Sequence, residues 1–179
     1  MLYRLKGGVV QIVVGIGLVL LMCGFMAAQQ IMTNYMPGTN FSKFKTYKWV
    51  NIEGSEQPDQ ILDQQIKQAV DSQLASKGMI KTDNEQADLY VAYQVSITQQ
   101  HQWNAYSMGG PWRGGTATVT SSTIQIGTLG LDLYDPGPKQ LVWRGQATKT
   151  LNPSKNAQTN LNRVNQAVAK LLKSFPPKP

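Results

Sequence analysis

Residues 87–99, ADLYVAYQVSITQ, alternate between apolar and mostly polar positions. Leu89, Val91, Tyr93, Val95 and Ile97 fall on one side of an extended chain. Tyr90, Ala92, Gln94, Ser96 and Thr98 fall on the other. A period of two with one apolar face calls for a sheet that is covered on one side and open on the other. The rest of the chain therefore has to supply neighbouring strands and an apolar layer to lie on them.

Both are legible. Tyr47-Lys48-Trp49-Val50 alternates in strand fashion, residues 116–126 are Thr- and Ser-rich and extended, and residues 128–134 alternate again through Leu129, Leu131 and Leu133. Asp135-Pro136-Gly137-Pro138 is a turn, and residues 141–150 return as a strand with Leu141, Trp143 and Gly145 on one face. Pro58 suits a first helical position, and Leu62, Ile66, Ala69, Val70 and Leu74 follow at helical spacing, with Gly78 as the stop. Asn152-Pro153 opens a second helix, whose stripe runs through Leu161, Val164, Val168, Leu171, Leu172 and Phe175 to Pro176-Pro177. The expected class is α+β: a mixed or antiparallel sheet of about four strands with two amphipathic helices packed on one face. The first helix leaves room for a parallel crossover.

The front of the chain is different in kind. Residues 8–28, GVVQIVVGIGLVLLMCGFMAA, are apolar except for Gln11, with Arg4 and Lys6 before them and no further basic residue until Lys43. Residues 1–28 therefore read as a signal peptide or an N-terminal membrane anchor, with the remainder exported and periplasm-facing. Three versions stand side by side: a cleaved signal, an uncleaved span, and lipid attachment at Cys23, since Leu20-Leu21-Met22-Cys23-Gly24 resembles a lipoprotein cleavage box with a bulky residue before the cysteine. All give attachment to, or passage across, a membrane. Residues 29–40, with Pro37-Gly38, read as a linker, and residues 41–177 as a single domain.

Three ordered blocks resemble a known family. They are Phe41-Ser42-Lys43-Phe44-Lys45-Thr46-Tyr47-Lys48-Trp49, then Gly127-Thr128-Leu129 with Asp132 and Asp135, then Leu141-Val142-Trp143-Arg144-Gly145, closed by Phe175-Pro176. Together they are similar to the bacterial domain-of-unknown-function 4136 family. The resemblance implies an exported, often lipid-anchored envelope protein and carries no catalytic residues with it.

Chemistry is sparse. Cys23 is the sole cysteine, so the domain has no disulfide, thiol nucleophile or cysteine metal site. His101 is the sole histidine, expected on an exposed loop, and no metal site, cofactor fingerprint or nucleophile motif is present. Asp132 and Asp135 differ by three positions, so on a strand they diverge, and Asp135 is suited to initiate the turn. The net charge of +7 is scattered rather than clustered, which argues against nucleic acid and is compatible with an anionic surface. Residues 103–115, WNAYSMGGPWRGG, read as a long loop whose Trp103, Tyr106, Trp112 and Arg113, with His101 nearby, form a surface for an envelope protein or glycan. The expected function is a non-enzymatic binding or assembly module held at a membrane. The alternatives are a hydrolase of envelope polymers using carboxylates assembled in the fold, and a spacer without a specific ligand.

Overall fold

The computed structural model describes residues 29–177 except 53, 55, 56 and 109–115, and only the backbone of 104–108 and 116–119. Among these residues six strands and two α-helices follow one another as β1 (Gln30–Tyr35), β2 (Thr46–Trp49), α1 (Gln60–Ser76), β3 (Ile80–Lys81), β4 (Leu89–Met108), β5 (Thr116–Asp135), β6 (Gln140–Leu151) and α2 (Ala157–Leu171). They form one mixed sheet in the order β1-β6-β5-β4-β2-β3. β2 is parallel to β3 and β4, and the remaining pairs are antiparallel.

The α+β class holds, but the sheet has six strands rather than about four. One extra strand is β3, too short to show a period. The other is β1, which occupies the stretch expected to be a linker. Gln30 pairs with Thr148 and Tyr35 with Trp143, so this segment is the sheet's edge. Its face pattern was hidden because Met32 and Tyr35 stay exposed, and an edge strand with little burial carries no alternation.

The core lies where the period of two placed it, except that at the start of β6 Leu141 falls on the face opposite Trp143. Leu89, Val91 and Tyr93 of β4, Leu131 and Leu133 of β5, and Trp143 and Ala147 of β6 share one face. Val70 and Leu74 of α1, Val168 and Leu171 of α2, and Leu172 and Phe175 just beyond α2 pack into the same cluster. A bulge falls where Leu133 faces Trp143 and Tyr134 faces Leu141. The extra residue, Val142, is thereby buried as well.

Both helices begin later than their prolines suggested. Asp59, not Pro58, caps α1, with its carboxylate accepting from the Ile61 and Leu62 N–H groups at 3.0 Å each. Asn156 caps α2, accepting from Thr159 N–H, while Asn160 folds back onto Ser154 and fixes the lead-in loop after Pro153. In each case a side-chain acceptor satisfies orphan donors that a proline cannot. At the other end of α1, Gly78 takes φ +81°, and Met79 N–H bonds the Leu74 carbonyl while Gly78 N–H bonds that of Ala75, a left-handed stop as expected.

β4 and β5 outrun the body. β6 accompanies β5 only as far as Gln125↔Leu151, and β2 accompanies β4 only to Trp49↔Val91. Beyond these points, among the described residues, the two long strands pair only with each other, out to Met108↔Thr116. At about 3.3 Å per residue the ribbon projects roughly 30 Å.

Candidate functional site

The helices do not cover the whole apolar face. Past Tyr93 and Leu131, the floor continues as Val95 and Ile97 of β4, Gly127 and Leu129 of β5, and Ala147 and Leu151 of β6. Leu62 and Ile66 from the first half of α1 form one wall, and Val164 and Ala167 of α2 the other. Between them lies a groove of about 510 Å³. Lys149, Arg163, Asn160 and Asn152 stand among its lining residues, and Gln29, just before β1, lines it too. No carboxylate is among them.

This opening carries a cost. Ile97 is 59% exposed, and burying such a side chain fully contributes about 1.5–3 kcal/mol. An apolar patch left bare in this way marks an interaction site more often than an accident.

The opposite face of the sheet is polar. Gln94, Ser96, Thr128 and Gln146 surround Gly130 in a second, smaller recess. Beside it Asp132, 5% exposed, accepts both Nε and Nη2 of Arg144 at 2.6 Å. The carboxylate raises the Arg144 pKa first of all, so the guanidinium stays charged. Asp135 takes Lys43 Nζ at 2.6 Å and the Gly137 N–H at 3.1 Å, acting as the turn initiator. The two carboxylates thus serve separate structural ends, as their odd spacing implied.

Two further carboxylates have partners that the sequence did not show. Asp63 and Asp71, two turns apart on α1, reach down to the sheet. Asp63 accepts from Tyr93 Oη at 2.5 Å and from Lys67 Nζ at 2.9 Å. Asp71 accepts from Tyr47 Oη and Trp49 Nε1, each at 2.8 Å, and from Lys81 Nζ at 2.9 Å. Burial, then the bond to a carboxylate, pushes the Tyr47 and Tyr93 phenols well above the ordinary tyrosine range. Partial burial works against the Asp63 anion, yet Tyr93 and Lys67 outweigh it and hold its pKa down. The available signal was polar residues, Asp63 and Asp71, flanking an apolar stripe at helical spacing.

Asp88 locks the parallel pairing of β2 with β4. Its Oδ2 accepts the N–H groups of Lys45 and Thr46 at 2.8 Å each and the Thr46 hydroxyl at 2.9 Å. These donors, the Lys45 N–H foremost, hold the carboxyl below its ordinary range. A depressed pKa stabilises the fold above the unfolded value, about 3.9, and that contribution is lost as pH falls through it toward the folded value. Denaturant midpoints taken from pH 6 downward are therefore expected to fall from about pH 4. Asp88→Asn should flatten that decline, and an unchanged profile would remove Asp88 as its cause.

The residues expected to form a surface fall in different places. His101 and Trp103 lie on β4 rather than in a loop, on the same side of the strand as Val95 and Ile97. His101 Nδ1 lies 3.1 Å from Thr123 Oγ1 across the ribbon, and Trp103 is 72% exposed. Tyr106 also belongs to β4, opposite Thr118, so the expected loop of 103–115 shrinks to residues between the two strands. At the near end of the ribbon His101, Gln102 and Trp103 are all exposed, so no buried face imposes an alternation there. Trp112, Arg113 and Cys23 lie outside the described residues.

A mixed sheet, open and polar on one face and incompletely roofed by two helices on the other, defines an α+β domain with an apolar groove instead of a cleft of converging ionisable groups. The chain belongs to the family described as Domain of unknown function (DUF4136), which it matches over residues 31–177. That match takes in β1, ahead of the sequence blocks that carried the resemblance. Among solved structures, a PDZ domain protein from Parabacteroides distasonis ATCC 8503 is similar at TM-score 0.57 and 14% identity, over 86% of this chain and 38% of that one. This chain thus spans well under half of that protein. PelC from Paraburkholderia phytofirmans, solved as a dodecamer, is similar at TM-score 0.50 and 14% identity, over 85% of this chain and 100% of that one. Likeness at such identity is a likeness of fold. No curated protein sequence matches the chain significantly.

Proposed function

We propose that this protein is a non-enzymatic binding module of the cell envelope, held at a membrane by its N-terminal segment and facing the periplasm, and that its partner seats in the groove between the two helices and the sheet. The observation that supports this reading is the apolar floor of the groove, in which Val95 and Leu129 are only partly buried and Ile97 is exposed. Trp103, farther along the same side of β4, extends the contact surface, with His101 beside it. Cys23 as a lipid attachment point, and Tyr106, Trp112 and Arg113 as partner contacts, belong to the same proposal.

Self-assembly is a second reading, favoured by the outer edge of β1, unpaired among the described residues, with exposed Met32 and Tyr35. A hydrolase fits less well. Asp63, Asp71, Asp132 and Asp135 each hold a cation. Asp63, Glu85 (through Lys48 first) and Asp88 are held below the usual range, whereas a general acid must be raised.

A photocrosslinking residue at position 97 of the full chain, in cells, is expected to yield a defined adduct. The same residue at Ile80, equally exposed on the far edge strand, should yield none. A reporter enzyme fused after Pro179 should be active only outside the cytosol. Equal or absent crosslinking at both positions would overturn the groove as the site, and cytosolic reporter activity would overturn the placement.

A further inference from the structure

We propose that the groove takes the acyl chain of an anionic membrane lipid, with the lipid's charged group held at Lys149 and Arg163. The proposal rests on the membrane-held reading above and names the ligand class of the same site. Three features of the groove converge on it.

The first is charge. Two cations and no carboxylate line the groove. Arg163 is fixed at the rim by neutral acceptors, the Asn152 carbonyl and Asn160 Oδ1, so its charge is not neutralised by these contacts. Lys149 is exposed toward the end of β6, and neither residue forms an ion pair among the described residues. An anion would find both cations available.

The second is the chemistry of the floor. Val95, Ile97 and Leu129 offer no hydrogen-bond partner. An extended peptide laid across them would leave its own N–H and C=O groups unsatisfied. A hydrocarbon chain has no such groups to satisfy. The groove's volume falls within the range of about 300–1,000 Å³ usual for small-ligand sites.

The third is position. Gln29 lines the groove, and the residue before it in the sequence closes the apolar run 8–28. A membrane-inserted run therefore leaves the groove one residue from the lipid surface. A single hydrophobic attachment holds a protein only marginally when it is an acyl chain, so a second contact combining a buried chain with basic groups adds materially to retention.

The test uses the full chain in nanodiscs of phosphatidylcholine doped with either phosphatidylglycerol or phosphatidylcholine carrying a diazirine in the acyl tail. After irradiation, adducts are mapped by peptide mass spectrometry. Adducts are expected on the peptides carrying Ile97, Leu129 and Val164, with phosphatidylglycerol exceeding phosphatidylcholine by roughly thirtyfold, the discrimination of two basic contacts near an anionic surface. Ala167→Trp should abolish these adducts while leaving those on residues 8–28 unchanged. Should Ala167→Trp disturb the near-ultraviolet circular dichroism, Ile97→Glu, at an already exposed position, replaces it. Lys149→Glu combined with Arg163→Gln, which keeps a donor for the Asn152 carbonyl, should erase the preference for the anionic lipid. Labelling confined to residues 8–28, or spread equally over the polar face around Gly130, would overturn the proposal. If position 97 crosslinks in cells to a protein rather than a lipid, the binding reading stands and the lipid assignment falls. If it crosslinks to nothing, both fall.

Discussion

Gly145→Val is expected to lower the stability of the domain by about 3 kcal/mol, roughly a hundredfold in the folding equilibrium. A Cβ built on Gly145 comes within 2.5 Å of Trp143 Cη2 and 2.7 Å of Leu171 Cδ1. Both neighbours are buried to within 1% of full burial, so neither can swing into solvent. The glycine is therefore there to admit the indole, which lies over its position and packs edge-on against Phe175 at 5.4 Å between ring centroids. Overpacked cores lose about 1–3 kcal/mol and occasionally more as side chains leave their rotamers. The contrasting substitution is Gly130→Val. There the nearest atom to a new Cβ is the Gln94 carbonyl oxygen at 3.9 Å. A β-branched residue fits that open, extended site, so little change or a small gain is expected. Chemical denaturation followed by tryptophan fluorescence separates the two. Equal effects would show that the tight packing at Gly145 does not govern stability.

Asp71→Ala is expected to cost about 2–3 kcal/mol, and Asp71→Asn distinctly less. Tyr47 is 1% exposed, and its hydroxyl together with Trp49 Nε1 donates to one oxygen of Asp71. Removing the carboxylate strands donors at the sheet–helix junction, and an unmet buried donor costs about 1–3 kcal/mol. Partial exposure of Asp71 admits some water, which keeps the loss from doubling. Asparagine retains an oxygen for the two donors and gives up only the half-exposed pair with Lys81, worth about 0–1 kcal/mol. Trp49 also stands edge-on to Tyr93, so its fluorescence reports the disturbance directly. Asp71→Ala within 0.5 kcal/mol of the parent would mean that water replaces the carboxylate without loss.

Much of the domain was legible wherever burial is one-sided and sustained. The stripe of Ile66, Ala69, Val70 and Leu74 and the alternation from Leu89 to Tyr93 are imprints of a single apolar face, and both fall inside the core. Gly78 and Asp135 were readable as a helix stop and a turn because each meets a local backbone need. β1, where only Ile31 is partly buried, and the described outer residues 99–103 of β4 and 120–123 of β5 left no such imprint, since their side chains stay exposed. The helix starts were misplaced by a few residues because capping depends on which side chain bonds the free N–H groups, not on where a proline can sit.

The candidate site was harder. Val95, Ile97 and Leu129 read in the sequence as further core, because periodicity reports which side a residue faces and not whether anything covers it. Only the positions at which α1 and α2 begin turn those residues into a groove floor. The same holds for Asp63 and Asp71, whose partners come from strands far along the chain.

What the amino-acid sequence determined by itself was therefore local and periodic: two amphipathic helices, strands with one apolar face, and a leading apolar run. Tertiary structure alone decided the strand order, the place of β1 at the edge, the pairing of Asp135 with Lys43 and of Asp132 with Arg144, and the length of sheet left unroofed. These depend on distances between residues remote in the chain, and no local pattern encodes them.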